Sequence, residues 1–341
     1  MSSAPRHLDA LIIGGGLAGS LLAWRLLKEG RAVRLIDAPL PGHAPAWAVA
    51  AGLAAPVAGQ RATLLPEAAE TLREARELYH AIEADLGAKF WRYLPLIRCF
   101  NDQDEVARWR KRCNEPEFEG FLRELDPAGL EAAELLQPMS AAFEIQQGGH
   151  LNINALVPAL HHYLETHGSF QRAHVDYKDI GLVGKRARWQ HLEAKYAVFC
   201  EGVGHQHNPH FPALRFQATR GEMLELEIEG LPQDRVLYGS HFLIPPGGKR
   251  FLCGATYDRE DLVSGPTPAG RAILEAGLQA LLKAPYTITG QRCGVRPNVL
   301  GHEAFWQRHP EHPQFWRLNG LGSKGAWSAP RLSAQALLDL V

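Results

Sequence analysis

The chain has 341 residues, of which 46% are hydrophobic and 21% charged, and its formal net charge is −1. That length is too great for one small core and suggests two lobes. The near-zero charge gives no reason to expect nucleic acid as a general partner.

Cysteine usage and the N-terminus indicate a reducing compartment. The five cysteines are scattered, odd in number, and form no C-x-x-C pair. Residues 1–7 lack the apolar core of a signal peptide, and no run approaches the ~20 apolar residues of a membrane span. We therefore expect a cytoplasmic protein with no membrane segment.

The first predicted elements form a strand, turn, helix and strand over residues 8–37. An apolar run at residues 10–13, typical of a strand buried on both faces, leads into G-x-G-x-x-G at Gly14, Gly16 and Gly19. These glycines allow a tight turn and the close approach of a pyrophosphate to a helix N-terminus. Asp37 follows the second strand, where it suits a ribose hydroxyl and would repel a 2′-phosphate. The unit predicts a dinucleotide site.

The middle of the chain predicts alternating helices and strands. Small residues at 48–53, within a Pro- and Ala-rich loop, suit a backbone that passes close to a flat ligand, although a flexible crossover would look the same. Helices are predicted at residues 63–86, 102–124 and 155–167, and strands at 92–100, 170–178, 189–195 and 196–200.

From residue 216 the character of the sequence changes. Strands are predicted at residues 219–229, 235–245, 250–257 and 286–294, interrupted by a helix at 267–283. This is a mixed, largely antiparallel segment and therefore a different lobe. A strand at 315–318, a glycine loop at 319–325 and a helix at 328–340 then return to α/β character.

Histidines cluster in two Pro-rich loop segments. Because they lack helical i, i+4 pairing, they predict surface or loop residues rather than metal ligands. They are His205, His207, His210, His302, His309 and His312.

Six blocks of the sequence occur in a specific order. They are Gly14-x-Gly16-x-x-Gly19 with Asp37, Ala50-Ala51-Gly52, Gly149-His150-Leu151, Gly254-Ala255-Thr256, Gly294-Val295-Arg296-Pro297, and the glycine loop 320–325 with Ala329-Pro330. This set resembles the FAD-dependent D-amino-acid oxidase superfamily, which includes glycine oxidase, sarcosine oxidase and the oxidase domain of the tRNA-modifying MnmC enzyme. The resemblance covers essentially the whole chain.

The resemblance implies an α/β fold of two lobes. A Rossmann-like FAD-binding domain would comprise residues 1–75, 145–212 and 294–341. A substrate domain with a mixed or antiparallel sheet, residues 76–144 and 213–293, would be inserted into it.

Cofactor roles are also implied by the resemblance. In chain order, the residues expected at FAD are Gly14, Gly16, Leu17, Ala18, Gly19, Asp37, Ala50, Ala51, Gly52, Val175, Gly202, Gly320, Gly322, Ser323, Lys324 and Gly325. The first turn would hold the pyrophosphate, the segment at 50–52 would lie along the isoalloxazine, and the last loop would place N–H groups at its pyrimidine end. Cys293 is one residue out of register with the cysteine that attaches FAD in sarcosine oxidase-like members. Non-covalent FAD is expected.

Substrate roles follow from the G-x-R-P block. In glycine oxidase-like relatives its arginine, here Arg296, holds the substrate carboxylate; the alternative is an arginine paired with an acid at a domain seam. The relatives' pocket tyrosine corresponds to Phe242, flanked by His241. Tyr257 is a candidate to supply the missing hydroxyl.

The expected reaction is oxidation of the C–N bond of a small amine or amino acid by hydride transfer to flavin N5, with reoxidation by oxygen or another acceptor. One alternative is MnmC-like oxidation of a modified tRNA base, against which the net charge and the lack of an attached methyltransferase-like domain argue. Another is a non-catalytic flavin-binding or redox-sensing protein, because the segment at residues 298–306 after Arg296 is altered. Its aromatic residues either cover the flavin or belong to the core.

Overall fold

The structure is a computed structural model that describes residues 6–38, 44–213, 215–300 and 304–341. Its helices are α1 (Leu17–Lys28), α2 (Ala68–Leu86), α3 (Gln103–Cys113), α4 (Ile153–Thr166), α5 (Pro268–Leu281) and α6 (Gly325–Leu340). Its strands are β1 (Arg6–Ile13), β2 (Val33–Asp37), β3 (Leu53–Ala54), β4 (Val57–Ala58), β5 (Thr63–Leu64), β6 (Trp91–Tyr93), β7 (Leu96–Phe100), β8 (Leu122–Leu125), β9 (Ala141–Ile145), β10 (Gly149–Leu151), β11 (Phe170–Arg172), β12 (Ile180–Val183), β13 (Arg186–Trp189), β14 (Leu192–Phe199), β15 (Thr219–Ile228), β16 (Val236–Tyr238), β17 (Phe242–Gly247), β18 (Arg250–Gly254), β19 (Tyr286–Arg296), β20 (Phe305–Arg308) and β21 (Phe315–Asn319). No helix among the described residues is long and apolar enough to cross a membrane.

The first large sheet carries the predicted nucleotide unit. Strands β11, β2, β1, β14 and β21 are parallel neighbours in that order, and β13, β12 and β20 add antiparallel edges. Ile12 packs with α1, α4 and α6 on one face, whereas Leu11 and Ile13 pack into a second cluster on the other. This burial on both faces explains the apolar run in β1. The predicted Rossmann-like unit is confirmed.

The second large sheet is mixed, as predicted. Its order is β19-β15-β18-β17-β16-β7-β9-β8, and every pair is antiparallel except β16 with β7. Helix α5 covers one face, where Leu274 and Leu278 pack with Leu224. The opposite face, which we call the front face, packs Phe100 and Ile244 towards the loop that precedes β3.

The two sheets draw on separated parts of the chain. The first uses residues 6–37, 170–199 and 305–319, and the second uses residues 96–145 and 219–296. Helix α2 continues across residues 75 and 76, and its Tyr79 hydroxyl donates to the Ala326 carbonyl of α6 at 2.9 Å. Strand β19 continues across residues 293 and 294. The domain limits expected at these two points therefore fall inside regular elements.

Several predicted strands have different limits because a sheet partner decides where a strand ends. The strand predicted at 170–178 stops at Arg172, which pairs with Asp37, the last residue of β2. The strand predicted at 92–100 is divided into β6 and β7 around Pro95, which has no N–H for a ladder. The two strands predicted at 189–195 and 196–200 are instead β13 and one continuous β14.

Two other predictions were wrong for local reasons. The helix predicted at 102–124 ends at Cys113. A 3₁₀ turn, with Glu115 as its N-cap, then begins at Pro116, and residues 122–125 form β8 beside β9. The strand predicted at 235–245 is divided into β16 and β17, which fold back on each other through Gly239. This division matters for the site, because it turns Tyr238 towards Phe242.

Candidate functional site

The turn between β1 and α1 contains three glycines that have different structural roles. Gly14 has φ +103°, and a Cβ there would overlap the Cys200 carbonyl of the neighbouring β14. A Cβ at Gly19 would overlap the Gly14 carbonyl. A Cβ at Gly16 would meet nothing within 4 Å. Packing therefore requires the first and third glycines, whereas the second borders open space.

The N-terminus of α1 is arranged to receive an anion. Gly16 is its N-cap and makes no side-chain cap bond, and the first turn contains no acidic residue. A helix start without such groups presents backbone N–H donors and the positive end of its dipole. Together with the open space at Gly16, this fits the pyrophosphate of a dinucleotide.

Asp37 lies beside this turn, together with a histidine that belongs to no sequence motif. The Asp37 carboxylate accepts from the Gly15 amide at 2.9 Å. His161 of α4 donates from Nε2 to the Gly15 carbonyl at 2.7 Å and stacks on Phe170 at 4.6 Å. Burial lowers the pKa of His161. His161 was missed because only the packing of α4 on α1 brings it here.

Val175 and Gly202 lie at the same carboxyl edge of the first sheet. Val175 is half-buried and packs against the cluster that contains Ile13 and Ile36. Gly202 follows β14 with φ +55°, and its carbonyl accepts from Asn319 at 2.9 Å. Ligands in α/β folds gather at this edge.

The loop with Ala50, Ala51 and Gly52, which we call the small-residue loop, is held from two sides. Gly52 has φ +69°, and a Cβ there would overlap the Leu151 carbonyl of β10. Leu151 in turn donates its amide to the Gly52 carbonyl at 2.8 Å. On the other side Val49 lies so close to Gly294 of β19 that a Cβ at residue 294 would overlap it. This loop is therefore fixed between β10 of the small β3-β10-β6 sheet and β19 of the second large sheet.

His150 supports the small-residue loop from β10. Its side chain is buried and hydrogen-bonds to the backbone of Ala51. Burial, followed by the charge of Arg92, lowers the pKa of His150 to about 4, and the bond to Ala51 opposes this shift only partly. His150 is therefore neutral at pH 7.

We expect His150 to make the stability of the protein depend on acidity. Its folded pKa of about 4 lies below the ~6.5 of an unfolded histidine. The stabilisation is therefore complete above pH 6.5 and is lost as the pH falls towards 4, by about 2 kcal/mol between pH 7.5 and pH 5. His150→Gln should remove this part of the pH dependence in urea denaturation.

The exposed His191 provides the control for this measurement. His191→Gln should keep the pH dependence of the wild type. If His150→Gln has the same pH dependence as the wild type, His150 is not the group that titrates.

The C-terminal glycine loop meets the start of α1. Gly320 and Gly322 have φ +79° and +50°, and a Cβ at Gly322 would overlap the Asn298 amide oxygen. Gly325 begins α6, and a Cβ there would lie 3.5 Å from Leu17, the first residue of α1. Ser323 and Lys324 are exposed. Two separate predicted cofactor segments, both at helix starts, are thus brought together.

Arg296 ends β19 at the front face. Its Nη1 donates to the Thr256 carbonyl at 3.2 Å, and its guanidinium lies 4.3 Å from the centre of the Tyr257 ring. It also fills the space over Gly221, where any Cβ would overlap it. Burial lowers the pKa of Arg296, against the opposing influence of Tyr257 and Tyr238. No acid of the described residues forms an ion pair with it.

Phe242 and His241 face different surroundings. The Phe242 ring packs against Gly254 and lies 6.2 Å from Tyr238, nearly perpendicular to it. His241 instead lies against Gly277 of α5, with its Nδ1 3.1 Å from the Ser240 hydroxyl. The structure thus brings Phe242 and Tyr238 to the front face with Arg296, and turns His241 towards α5.

Cys293 faces away from the small-residue loop. Its thiol donates to the Ser264 carbonyl at 3.6 Å, and burial, followed by the charge of Glu222, raises its pKa. Its neighbour Gly294 packs against Val49, which directly precedes the small-residue loop. Alternation along β19 thus separates the thiol from that loop.

The aromatic residues after Arg296 join the core of the first sheet. Trp306 stacks on Trp316 at 4.5 Å, and its Nε1 donates to Asp339 of α6 at 2.7 Å. Residues 301–303 lie outside the described residues. Of the two interpretations offered for this segment, the packing of Trp306 fits the core.

The clustered histidines have varied environments. His205 is buried in the short 3₁₀ turn Gly202–His207 and donates from Nδ1 to Glu201 at 2.9 Å, so of the predicted surface or loop positions it occupies a buried turn. His309 stacks on His312 at 4.7 Å. Among the described residues, which exclude His302, no group of His, Cys, Asp and Glu has a geometry that would hold a metal ion.

Comparison with known proteins agrees with this geometry. The sequence profile of the family described as FAD dependent oxidoreductase matches residues 9–340. The tRNA 5-methylaminomethyl-2-thiouridine biosynthesis bifunctional protein MnmC of Paracidovorax citrulli (strain AAC00-1) is 26% identical over 98% of this chain. The chain spans about half the length of this curated relative, 52%.

Two solved structures share the fold. Glycine oxidase from Geobacillus kaustophilus has a TM-score of 0.80 at 17% identity, covering 98% of this chain and 94% of its own. Iminodiacetate oxidase from Chelativorans sp. BNC1 has a TM-score of 0.75 at 21% identity, covering 95% and 93%. The resemblance seen in the sequence is confirmed: the chain belongs to the DAO family of FAD-dependent oxidoreductases.

Proposed function

We propose that this enzyme oxidises the C–N bond of a small amine that carries a carboxylate, and that Arg296 binds that carboxylate. The observation that carries the proposal is the half-buried guanidinium of Arg296, which has a carbonyl and a tyrosine ring as partners but no acid among the described residues. A desolvated arginine without a counter-ion is suited to bidentate binding of a carboxylate.

The cofactor is assigned to the segments that meet at the helix starts. We assign residues 1–75, 145–212 and 294–341 to the FAD-binding domain, and residues 76–144 and 213–293 to the substrate domain. Arg296 lies close to the limit between them, in a strand that continues across it. When bound, FAD would supply the acceptor for the hydride lost from the substrate's C–H bond as the C–N single bond becomes a C=N bond. Non-covalent attachment is supported by the direction of Cys293, whose thiol faces Ser264 rather than the small-residue loop.

The chain's own contribution is to bind and orient the substrate. Arg296 would hold the carboxylate, while Tyr257 stacks on the guanidinium and Tyr238 is close enough to influence its pKa. His241, which precedes Phe242 in the sequence, faces α5, so we do not assign it the role of removing a proton. We therefore assign no general base: the amine would arrive neutral, the imine product would hydrolyse in solution, and oxygen or another acceptor would complete the cycle.

Anaerobic bleaching of the visible flavin absorbance tests this function. The purified, FAD-loaded protein would be mixed with glycine, sarcosine, iminodiacetate, and both enantiomers of alanine, proline and glutamate. At least one amine with a carboxylate should bleach the flavin, and the corresponding amine without one should do so far more slowly. Bleaching by simple amines alone would contradict the assignment of Arg296.

Lys324 is expected to influence how readily the flavin is reduced. It is the exposed N-cap residue of α6, so a cation and a helix N-terminus coincide where the pyrimidine end is proposed to lie. Lys324→Met should lower the midpoint potential by about 10–20 mV, the equivalent of about 0.5–1 kcal/mol for two electrons, with FAD still bound. A potential unchanged from the wild type would remove Lys324 from the cofactor site.

Oxidation of a modified tRNA base is a second candidate, favoured by the identity with the MnmC protein across nearly the whole chain. Helix α3 carries a run of basic residues at 108–112, which could meet an anionic partner. It gives this candidate little support, because Arg110 and Arg112 are paired with Glu124 and Glu115. Binding of tRNA in a gel-shift assay, with an affinity that falls steeply with salt, would favour this candidate.

A further inference from the structure

A second arginine, Arg98, is buried on the front face without a direct ion pair, and the more distant charge of Glu105 on α3 raises its pKa less than burial lowers it. Its side chain on β7 is only 7% exposed, and its buried Nε has no hydrogen-bond partner. No acid of the described residues forms an ion pair with it. No sequence motif includes Arg98.

Three aromatic rings surround the Arg98 guanidinium. Its central carbon lies 4.0 Å from the centre of the Tyr238 ring, 5.1 Å from Phe100 and 5.4 Å from Trp109. Stacking of this kind uses the flat faces of the guanidinium. The N–H donors lie in its plane, so stacking leaves them available to an oxygen acceptor.

The position of Arg98 in the sheet directs it towards the proposed active site. On β7, Ile97 and Cys99 pack on the side of α5, whereas Leu96 and Phe100 pack with the cluster that reaches the small-residue loop. Arg98 shares the face of the latter two because side chains alternate along a strand. It is in register with Tyr238, which also influences the pKa of Arg296. Tyr238 therefore stands between the two arginines.

A buried cation without a counter-ion is costly, and aromatic rings offset only part of that cost. Arg98 has this cost while lying on the face that carries the carboxylate-binding candidate. An anion arriving with the substrate would supply the missing partner. The spacing of the charged groups also matters. The Arg296 guanidinium lies over Gly221 of β15, and the Arg98 guanidinium lies over the ring of Tyr238 of β16. Strands β18 and β17 lie between them, and neighbouring strands are about 4.8 Å apart, so only a substrate with two acidic groups several bonds apart would reach both arginines.

We propose that Arg98 binds a second carboxylate of the substrate, several bonds away from the carboxylate held by Arg296. The proposal rests on the proposed function and narrows it to amines with two acidic groups. Arg98 is then a specificity-determining residue, and Tyr238 orients its guanidinium by stacking.

The test separates binding from turnover. Glutarate and its monoamide have nearly the same shape but differ in one charge. Their affinities for the FAD-loaded protein would be measured by calorimetry in the wild type and in Arg98→Met, Arg98→Lys and Arg235→Met. Arg235 provides the matched control because it adjoins β16 and is already paired with Glu131 and Asp234.

The wild type should bind glutarate roughly 10- to 100-fold more tightly than the monoamide, the range for a charged hydrogen-bonded contact. Arg98→Met should abolish this preference, Arg98→Lys should retain part of it because the charge remains, and Arg235→Met should leave it unchanged. The lysine variant decides the matter if the methionine variant does not fold. A wild type without the preference, or a lysine variant that keeps all of it, would overturn the proposal.

Turnover gives an independent measurement. If glutamate bleaches the flavin, Arg98→Lys should lower kcat/KM for glutamate several-fold more than for glutamine. Failure of every amine to bleach, with an Arg98-dependent preference for glutarate, would reject the proposed function and keep the second anion site. Bleaching with equal losses for glutamate and glutamine would reject the second site and keep the function.

Discussion

Replacement of Arg296 by Met is expected to lower kcat/KM for amino acids roughly 30-fold to several thousand-fold. The change would leave the substrate carboxylate desolvated and unpaired, which costs about 2–5 kcal/mol. At ~1.4 kcal/mol per tenfold change, that cost corresponds to the stated range. The loss would come from binding and orientation, because Arg296 contacts Thr256 and Tyr257 and is assigned to the substrate.

The informative comparison is between paired substrates. An amino acid and its decarboxylated amine would be measured with the wild type, Arg296→Met and Arg296→Lys. The amine should lose much less in the methionine variant, or even gain, because the new side chain is apolar. The lysine variant should recover part of the loss, since it keeps a charge but not the fork of donors.

The FAD content and visible spectrum of these variants should be close to those of the wild type. Equal losses for the amino acid and the amine would mean that Arg296 is structural. Another class of amine, or the tRNA candidate, would then have to be considered.

The parts of the fold that were predictable are those in which the requirement is local. Strand β1, the turn glycines and α1 follow one another directly, so the spacing alone predicts a structural role for each glycine. The structure distinguishes these roles. A Cβ at Gly14 or Gly19 would overlap neighbouring backbone, whereas a Cβ at Gly16 would meet nothing within 4 Å. The G-x-R-P block likewise located Arg296, because a short motif carried it.

What escaped prediction depends on which strands become neighbours. Arg98 and Tyr238 are distant in sequence and meet only because β7 and β16 pair in parallel. Tyr238 was placed inside one long predicted strand, whereas the reversal between β16 and β17 turns it towards Phe242. His161 meets Gly15 only through the packing of α4 on α1. No local periodicity records such pairings.

Gly16 borders open space, unlike the closely packed Gly14 and Gly19, and this difference determines what we expect of Gly16→Val. We expect this variant to fold but to lose FAD, with an affinity at least about 100-fold weaker than that of the wild type. Its valine would stand where the pyrophosphate approaches, combining overpacking of ~1–3 kcal/mol with loss of charge-assisted hydrogen bonds worth ~1.5–3 kcal/mol each.

The apoprotein should be unaffected, because nothing lies within 4 Å of the new Cβ and the backbone at Gly16, with φ −68°, suits any residue. Gly19→Val should behave differently and fold poorly, since its Cβ would overlap the Gly14 carbonyl. Gly181→Val is the matched control: its Cβ also meets nothing within 4 Å, but it lies on the peripheral strand β12.

Melting temperatures of the three apoproteins and titration of each with FAD would separate these cases. Gly16→Val should have the same melting temperature as Gly181→Val but bind FAD far more weakly. A yellow Gly16→Val protein with the affinity of the wild type would show that the pyrophosphate does not lie against this turn. The assignment of the α1 N-terminus as the anion site would then be wrong, even though the chain would remain a member of its family.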